Sequence, residues 1–297
     1  MISIEEQIFE HNFVFYLESN RIISKVNSQN YLNFLDNEEF EELLKTDIPK
    51  ASEVYTKELL YKTYFLCISG LIRNFKWMEG IVSGYSLENI FIVATSIRGL
   101  IESCSDIFYS TKHISKTLFR DYSIFLNSLQ SKSEKLIRYE DIEKELNHYL
   151  YAHKVTRGQN TPNYLKAKTA KEYLIEFQQF ESNIGNRIEE LYNYLCQFSH
   201  PSAFSIMYLN ESEINLCINI ANEKKYIDQL ILEFQNVADY LLQNSINPIF
   251  LLLKFMNYLP LKEISIDIVK EINLNKLKLW RDFENMINTK NKQCLIN

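Results

Sequence analysis

Glycine and proline are scarce in this chain, six and five in 297 residues. A barrel or sandwich draws on both residue types at its many tight turns, so long helices joined by short connections are expected instead. Paired cysteines are missing too: the five thiols, at 67, 104, 196, 217 and 294, form no Cys-x-x-Cys motif. Most fall in apolar patterns where a thiol acts as a small hydrophobe, which suits a reduced, cytoplasmic protein. The start, MISIEEQIFEHN, lacks the basic residues and apolar run of a signal peptide, and the greasiest segment, 246–259, is short and carries Lys254. Neither export nor a membrane span is expected. Positive charge is in deficit, with a formal net charge of −6, so no global field favours nucleic acid and only a local basic patch could. There is no Gly-rich phosphate loop, no Gly-x-Ser-x-Gly elbow and no recognisable Cys-His pair.

No metal or cofactor is expected either. Glu145-x-x-His148 has the one-turn spacing of a carboxylate-bridged metal site, but it has no second copy. His148 and His153 are five apart and do not share a helical face.

Apolar residues make up 46% of the chain and aromatics 13%, ample for a sizeable core. In the segment 51–79, Leu60, Tyr64, Cys67, Leu71 and Phe75 recur at helical spacing, and Gly80 is placed to end that helix. Ser86 then reads as the N-cap of a helix from Leu87 to about Thr111, with Glu88 in its first turn. On this helix Leu87, Phe91, Ala94, Ile97, Ile101, Cys104 and Phe108 form one stripe, widened by Ile90, Val93, Leu100 and Ile107. A helix apolar over most of its circumference is a central one. Its remaining face carries Arg98, Glu102 and Asp106 at one-turn intervals, with Ser105 and Tyr109 beside them.

Further helices are expected at about 115–131, 139–153 and 170–199, then at 223–245 through Ile227, Leu230, Phe234, Val237 and Leu241. Asn247-Pro248 is read as the cap of another, ending at Leu259. Between them the period changes. Residues 203–209 and 214–220 alternate, with Ile214, Leu216, Ile218 and Ile220 interleaving with Asn215, Cys217 and Asn219 around the turn 210–213, so a β-hairpin is expected at about 203–220. The fold class is therefore mainly α: an amino-terminal helical arm at 1–50, a helical bundle with the hairpin at 51–260, and an amphipathic carboxyl-terminal tail at 261–297.

The stretch LYNYLCQFSHPSAF, residues 191–204, ends a helix whose Ile184, Ile188, Leu191, Leu195 and Phe198 face a core. The residue before a proline is pushed out of the α region, so His200 leaves the helix at its carboxyl end, either as a cap or as a reactive group. An Arg98-x-x-x-Glu102 pair in a central helix, followed about a hundred residues later by Leu195-x-x-x-Ser199-His200-Pro201-Ser202, resembles a group of poorly characterised bacterial helical proteins that look HEPN-like in fold. The resemblance covers roughly residues 55–245. In the wider HEPN superfamily, which includes toxin and antiviral ribonucleases, an arginine and a histidine about five residues later on one helix cleave RNA without metal. This chain departs from that pattern. No arginine precedes any of its histidines at that spacing; His200 has Asn193 upstream and Arg187 as its closest preceding arginine. A HEPN-type site here must be a rearranged one, with Arg98 supplied by another helix.

The resemblance implies an effector of a bacterial defence or toxin-antitoxin system that cleaves RNA: His200 moving the proton of a ribose hydroxyl, Arg98 holding phosphate charge, Glu102 orienting either, and Tyr192 or Tyr109 assisting. The other reading is a non-catalytic interaction or oligomerisation module in which Arg98, Glu102 and His200 fasten two helices. Lys154, Arg157, Lys166, Lys168 and Lys171 lie in a stretch, 153–171, without an acid. They are read as a solvated loop entering a helix or as phosphate contacts. Ile264, Ile268, Ile272 and Leu279 are too apolar for a free tail and are expected to pack on the amino-terminal arm or on another subunit. HEPN-like proteins commonly pair, and the hairpin has an edge, so a homo-oligomer or a partner protein is expected.

Overall fold

A computed structural model describes residues 2–26, 34–155, 160–180, 182–200, 202–212 and 214–294. Among these the chain is mainly helical and has no named strand. The helices are α1 (Ile4–Phe9), α2 (Phe13–Ile23), α3 (Asn37–Thr46), α4 (Ile48–Ser86), α5 (Ile90–Arg120), α6 (Tyr122–Leu129), α7 (Glu140–Tyr151), α8 (Ala170–Phe180), α9 (Ser182–Ser199), α10 (Phe204–Met207), α11 (Asn222–Met256) and α12 (Lys278–Cys294). No described helix is long and apolar enough to cross a membrane. The chain divides into two compact units: one holds residues 1–23, 69–109 and 168–246, and the other 24–68, 110–167 and 247–297.

In the first unit, α4 and α5 approach closely because of glycine. Gly80, expected to end a helix, lies inside α4, where a Cβ would stand 2.5 Å from the Ser96 hydroxyl. At Gly84 a Cβ would meet the Val93 backbone nitrogen at 2.8 Å. These glycines serve helix contact rather than helix termination. The break comes later, at Glu88, whose φ of 49° is left-handed, while the Asn89 amide closes back onto the Gly84 carbonyl at 2.9 Å. Asn89, not Ser86, then caps α5, its Oδ1 accepting from the Ile92 amide at 3.1 Å. Leu87 and Phe91 consequently fall outside the core stripe and are exposed, whereas the other nine expected stripe residues are buried.

The arm expected at 1–50 contributes α1 and α2 to this unit, where Phe9 meets Phe234 edge-on and Tyr16 packs on Phe75. The hairpin expected at 203–220 is corrected in its first half. Residues 204–207 form α10, because Ser202 and Ser205 exchange backbone-to-hydroxyl hydrogen bonds and because Phe204 and Tyr208, one helical turn apart, both reach Phe198 and Tyr226. Of the second half, one isolated antiparallel bridge remains, Asn210 with Ile218.

In the second unit, the tail turns back on itself through two short 3₁₀ segments before α12. Trp280 and Phe283 are buried against Phe119, Tyr122, Phe255 and Tyr258. Lys254 donates to the Ile272 carbonyl at 2.6 Å. The tail therefore closes the core of its own unit. Pro248 does not start a new helix: α11 runs through it, and Ile249, Phe250, Leu252 and Leu253 bury apolar surface beyond the lost amide hydrogen bond.

Candidate active site

Two helices of the first unit bring a polar group together. Arg98 and Glu102, a turn apart on α5, share one face; Tyr192 and Ser199 come from α9, and His200 follows its last residue. The Arg98 Nε donates to Glu102 Oε1 at 3.1 Å and to Tyr192 Oη at 3.2 Å, and the Tyr192 hydroxyl donates to Glu102 Oε1 at 2.6 Å. The Arg98 Nη1 donates to Ser199 Oγ at 2.9 Å and lies 3.3 Å from His200 Nε2. A guanidinium can only donate, so Nε2 is the acceptor in this contact. Among the described residues nothing bonds to Nη2.

The local sequence explains why His200 ends here. Its amide still donates to the Cys196 carbonyl at 3.2 Å, so the residue closes the helix while its side chain stays exposed. The buried stripe Ile188, Leu191, Leu195 and Phe198 fixes the roll of α9 and so turns Tyr192 and Ser199 toward α5. The Arg98 side chain is 25% exposed and that of Glu102 41%, so the group is half-open rather than sealed in a core. Burial first, then the Glu102 carboxylate, pushes the Tyr192 phenol up to about 12. Burial works against the Arg98 charge, but the Tyr192 hydrogen bond and Glu102 outweigh it and raise its pKa.

A second polar cluster adjoins Glu102. The Arg73 Nε donates to Ser103 Oγ at 2.8 Å, its Nη2 lies 2.5 Å from Asp106 Oδ2, and Ser103 donates in turn to Asn74 Oδ1 at 2.5 Å. The Lys168 ammonium stands 3.2 Å above the Tyr109 ring, which meets Tyr173 edge-on. Burial and the nearby Asp106 raise the Tyr173 pKa. Arg73, Ser103, Asp106, Lys168 and Tyr173, with Glu102, Trp77 and Gly99, line a cleft of about 270 Å³.

Of the basic residues singled out in the sequence, Lys168 alone reaches the cleft that Glu102 lines. Lys171 is exposed on α8; Lys154 and Lys166 belong to the second unit, where Lys166 donates to Asn163, and Arg157 lies outside the described residues, as does Pro201. Tyr109 sits with Lys168, and its described contacts do not include Arg98. Ser105, expected on the polar face, is buried and returns its hydroxyl to the Ile101 carbonyl, while Ser103 takes the polar position. Arg73 escaped the sequence reading; its only signal was a cation inside the apolar run from Leu71 to Phe75. His148 is buried with Nδ1 2.8 Å from the Tyr164 carbonyl. Compared with protein-family models, with curated proteins and with solved structures, the chain matches none.

Proposed function

We propose that this chain is a metal-independent ribonuclease of HEPN-like type, an effector in a bacterial defence or toxin-antitoxin setting, whose site is Arg98, Glu102 and His200. The observation that carries the reading is the disposition of Arg98: Nη1 holds the exposed His200 ring while Nη2 has no partner among the described residues, which leaves it for an anion. A phosphodiester entering there displaces the longest contact, that to His200, onto a non-bridging oxygen. The freed Nε2 takes the proton of the ribose 2′-hydroxyl, the 2′-oxygen attacks phosphorus, and the bond to the 5′-oxygen breaks. The departing oxygen recovers the proton from the imidazolium, leaving a 2′,3′-cyclic phosphate and a 5′-hydroxyl. Arg98 meets the charge that grows on the phosphoryl oxygens, and Glu102 with Tyr192 holds the guanidinium in place.

A second reading, an interaction module without catalysis, is favoured by the fact that three of the Arg98 contacts are to its own neighbours. The two separate on one set of measurements with purified protein, a mixed-sequence RNA and its 2′-deoxy counterpart. Catalysis gives cyclic-phosphate ends from RNA only. His200→Ala and Arg98→Lys then lose roughly 10²–10⁴-fold in rate, and His200→Ala, with its exposed side chain, melts like the wild type. Wild-type protein that leaves RNA intact, with His200→Ala destabilised by about 1–3 kcal/mol as a lost structural partner, eliminates the ribonuclease reading.

A further inference from the structure

In the first unit, residues 214–220, INLCINI, form an uncharged strip whose apolar side chains stand in water: Ile214 is 91% exposed, Leu216 87%, Ile218 78% and Ile220 75%. The backbone accounts for only one side of this strip. The Glu211 amide donates to the Cys217 carbonyl at 3.1 Å and the Asn219 amide to the Leu209 carbonyl at 2.8 Å, while the Cys217 amide donates to Asn210 Oδ1 at 2.7 Å. Ile218 is therefore the non-hydrogen-bonded partner of Asn210, and its own N–H and C=O point the other way. By the same alternation so do those of Leu216. No described group meets them, which leaves an open backbone edge beside the single bridge.

We infer that this edge is a self-association surface, on which the same strip of a second copy pairs antiparallel about a two-fold axis centred on Cys217. The occupant follows from the pattern. With Cys217 opposite its own equivalent, Leu216 faces Ile218 and Ile214 faces Ile220, all on one side of the ribbon, while Asn215 faces Asn219 on the other. Every apolar side chain meets an apolar one, every amide meets an amide, and no charge opposes another. The outward N–H and C=O groups of Leu216 and Ile218 close about four backbone hydrogen bonds between the copies. The ends are already capped, because the Ile214 amide donates to Ser212 Oγ and the Ile220 carbonyl accepts from the Glu223 amide. This pairing uses none of the Arg98 site and stands whether or not RNA is cleaved.

The register supplies the test. Cys217 falls at a non-hydrogen-bonded pair, with α-carbons about 4.5 Å apart, inside the range that a disulfide spans. Cys67 and Cys104 are buried and Cys196 is partly buried, which leaves Cys217 as the exposed thiol among the described ones. Full-length protein is oxidised with diamide, which takes up the two electrons and two protons released as two thiols join, and run on a non-reducing gel beside light scattering. The expected result is a dimer in both, with the covalent band lost in Cys217→Ser while the light-scattering dimer persists. Ile218→Pro removes only an outward amide, so it leaves the bonds to residues 209–211 available yet blocks the edge. It should raise the dimer dissociation constant at least tenfold with unchanged helical circular dichroism, and Ile218→Lys should do the same. A wild-type monomer at all concentrations, whether because the edge stays free or because another protein's strand fills it, overturns the proposal. So does a dimer that survives both Ile218 variants.

Discussion

At the scale of single residues, charge placement decides more than composition does. Glu53, in the second unit, has a side chain only 12% exposed, with Lys57 at 2.7 Å, Lys50 at 3.0 Å and the Ser131 hydroxyl at 2.7 Å. Burial alone would raise its pKa, but these three partners outweigh burial and hold the carboxyl down at about 2. The sign follows from linkage. A group whose folded pKa lies below its unfolded value stabilises the fold above the unfolded value, near 4.3, and that contribution fades as the pH falls toward 2. Glu53→Gln should therefore be less stable than wild type by about 2–3 kcal/mol at pH 7, with the gap closing between about pH 4 and pH 2. Chemical denaturation of both proteins across that range checks it; a gap that does not change with pH assigns the loss to packing instead. His200 illustrates the same scale from the other side, since its proline neighbour limits where the backbone goes while Arg98, from another helix, decides what the ring touches.

At the scale of elements, the contact of α4 with α5 rests on atoms that are absent. Gly84 brings its α-carbon against the backbone of Val93, and Gly99 lets the Trp77 ring lie where a Cβ would stand 2.5 Å from it. Gly84→Ala improves helix propensity by about 1 kcal/mol, but its methyl group would press on a backbone nitrogen that cannot rotate away. The expected outcome is a net loss of roughly 1–3 kcal/mol, because helix separation costs more than propensity returns. Thermal melting decides the sign: a stabilised variant would mean that α4 and α5 slide apart at no cost. The same contact carries the candidate site, since it fixes the roll of α5 and with it the directions of Arg98, Ser103 and Asp106.

At the scale of the whole molecule, the two units draw their residues from separated parts of the chain, so neither can be cut out as one continuous piece. The second unit depends on the last forty residues or so. Trp280 is fully buried, and Phe119, Tyr122, Phe255 and Phe283 form one aromatic cluster with it. A chain ending at Leu259 would expose that cluster, and burial of a single large side chain is worth roughly 1.5–3 kcal/mol. Such a chain is expected to aggregate or to lose part of its helical circular dichroism and its cooperative melt. If it keeps the oligomeric state of the full chain and a full-length-like melt, the tail has no part in the core of that unit.

Periodicity alone determined that the chain is mainly helical and, Leu87 and Phe91 apart on α5, which stripe residues face inward: Leu60, Cys67, Ile97, Ile101, Leu195 and Phe234 were all legible and are all buried. That signal is local, because one helical turn repeats within a few residues and apolar surface must leave water wherever the turn presents it. Arg98 with Glu102, and Ser199 with His200, could each be seen as neighbours for the same reason. Their meeting across about a hundred residues, the entry of Lys168 and Arg73 beside Glu102, and the departure of Lys154 and Lys166 to another unit were decided by tertiary packing. Glycine misled for a related reason: Gly80 reads as a stop when only its own backbone is considered, and as a contact surface once α5 lies against it. The alternation at 203–220 does not give a hairpin: two serine hydroxyls and an aromatic pair one turn apart favour a helix in its first half, and at 214–220 one isolated bridge remains with the apolar side chains left in water.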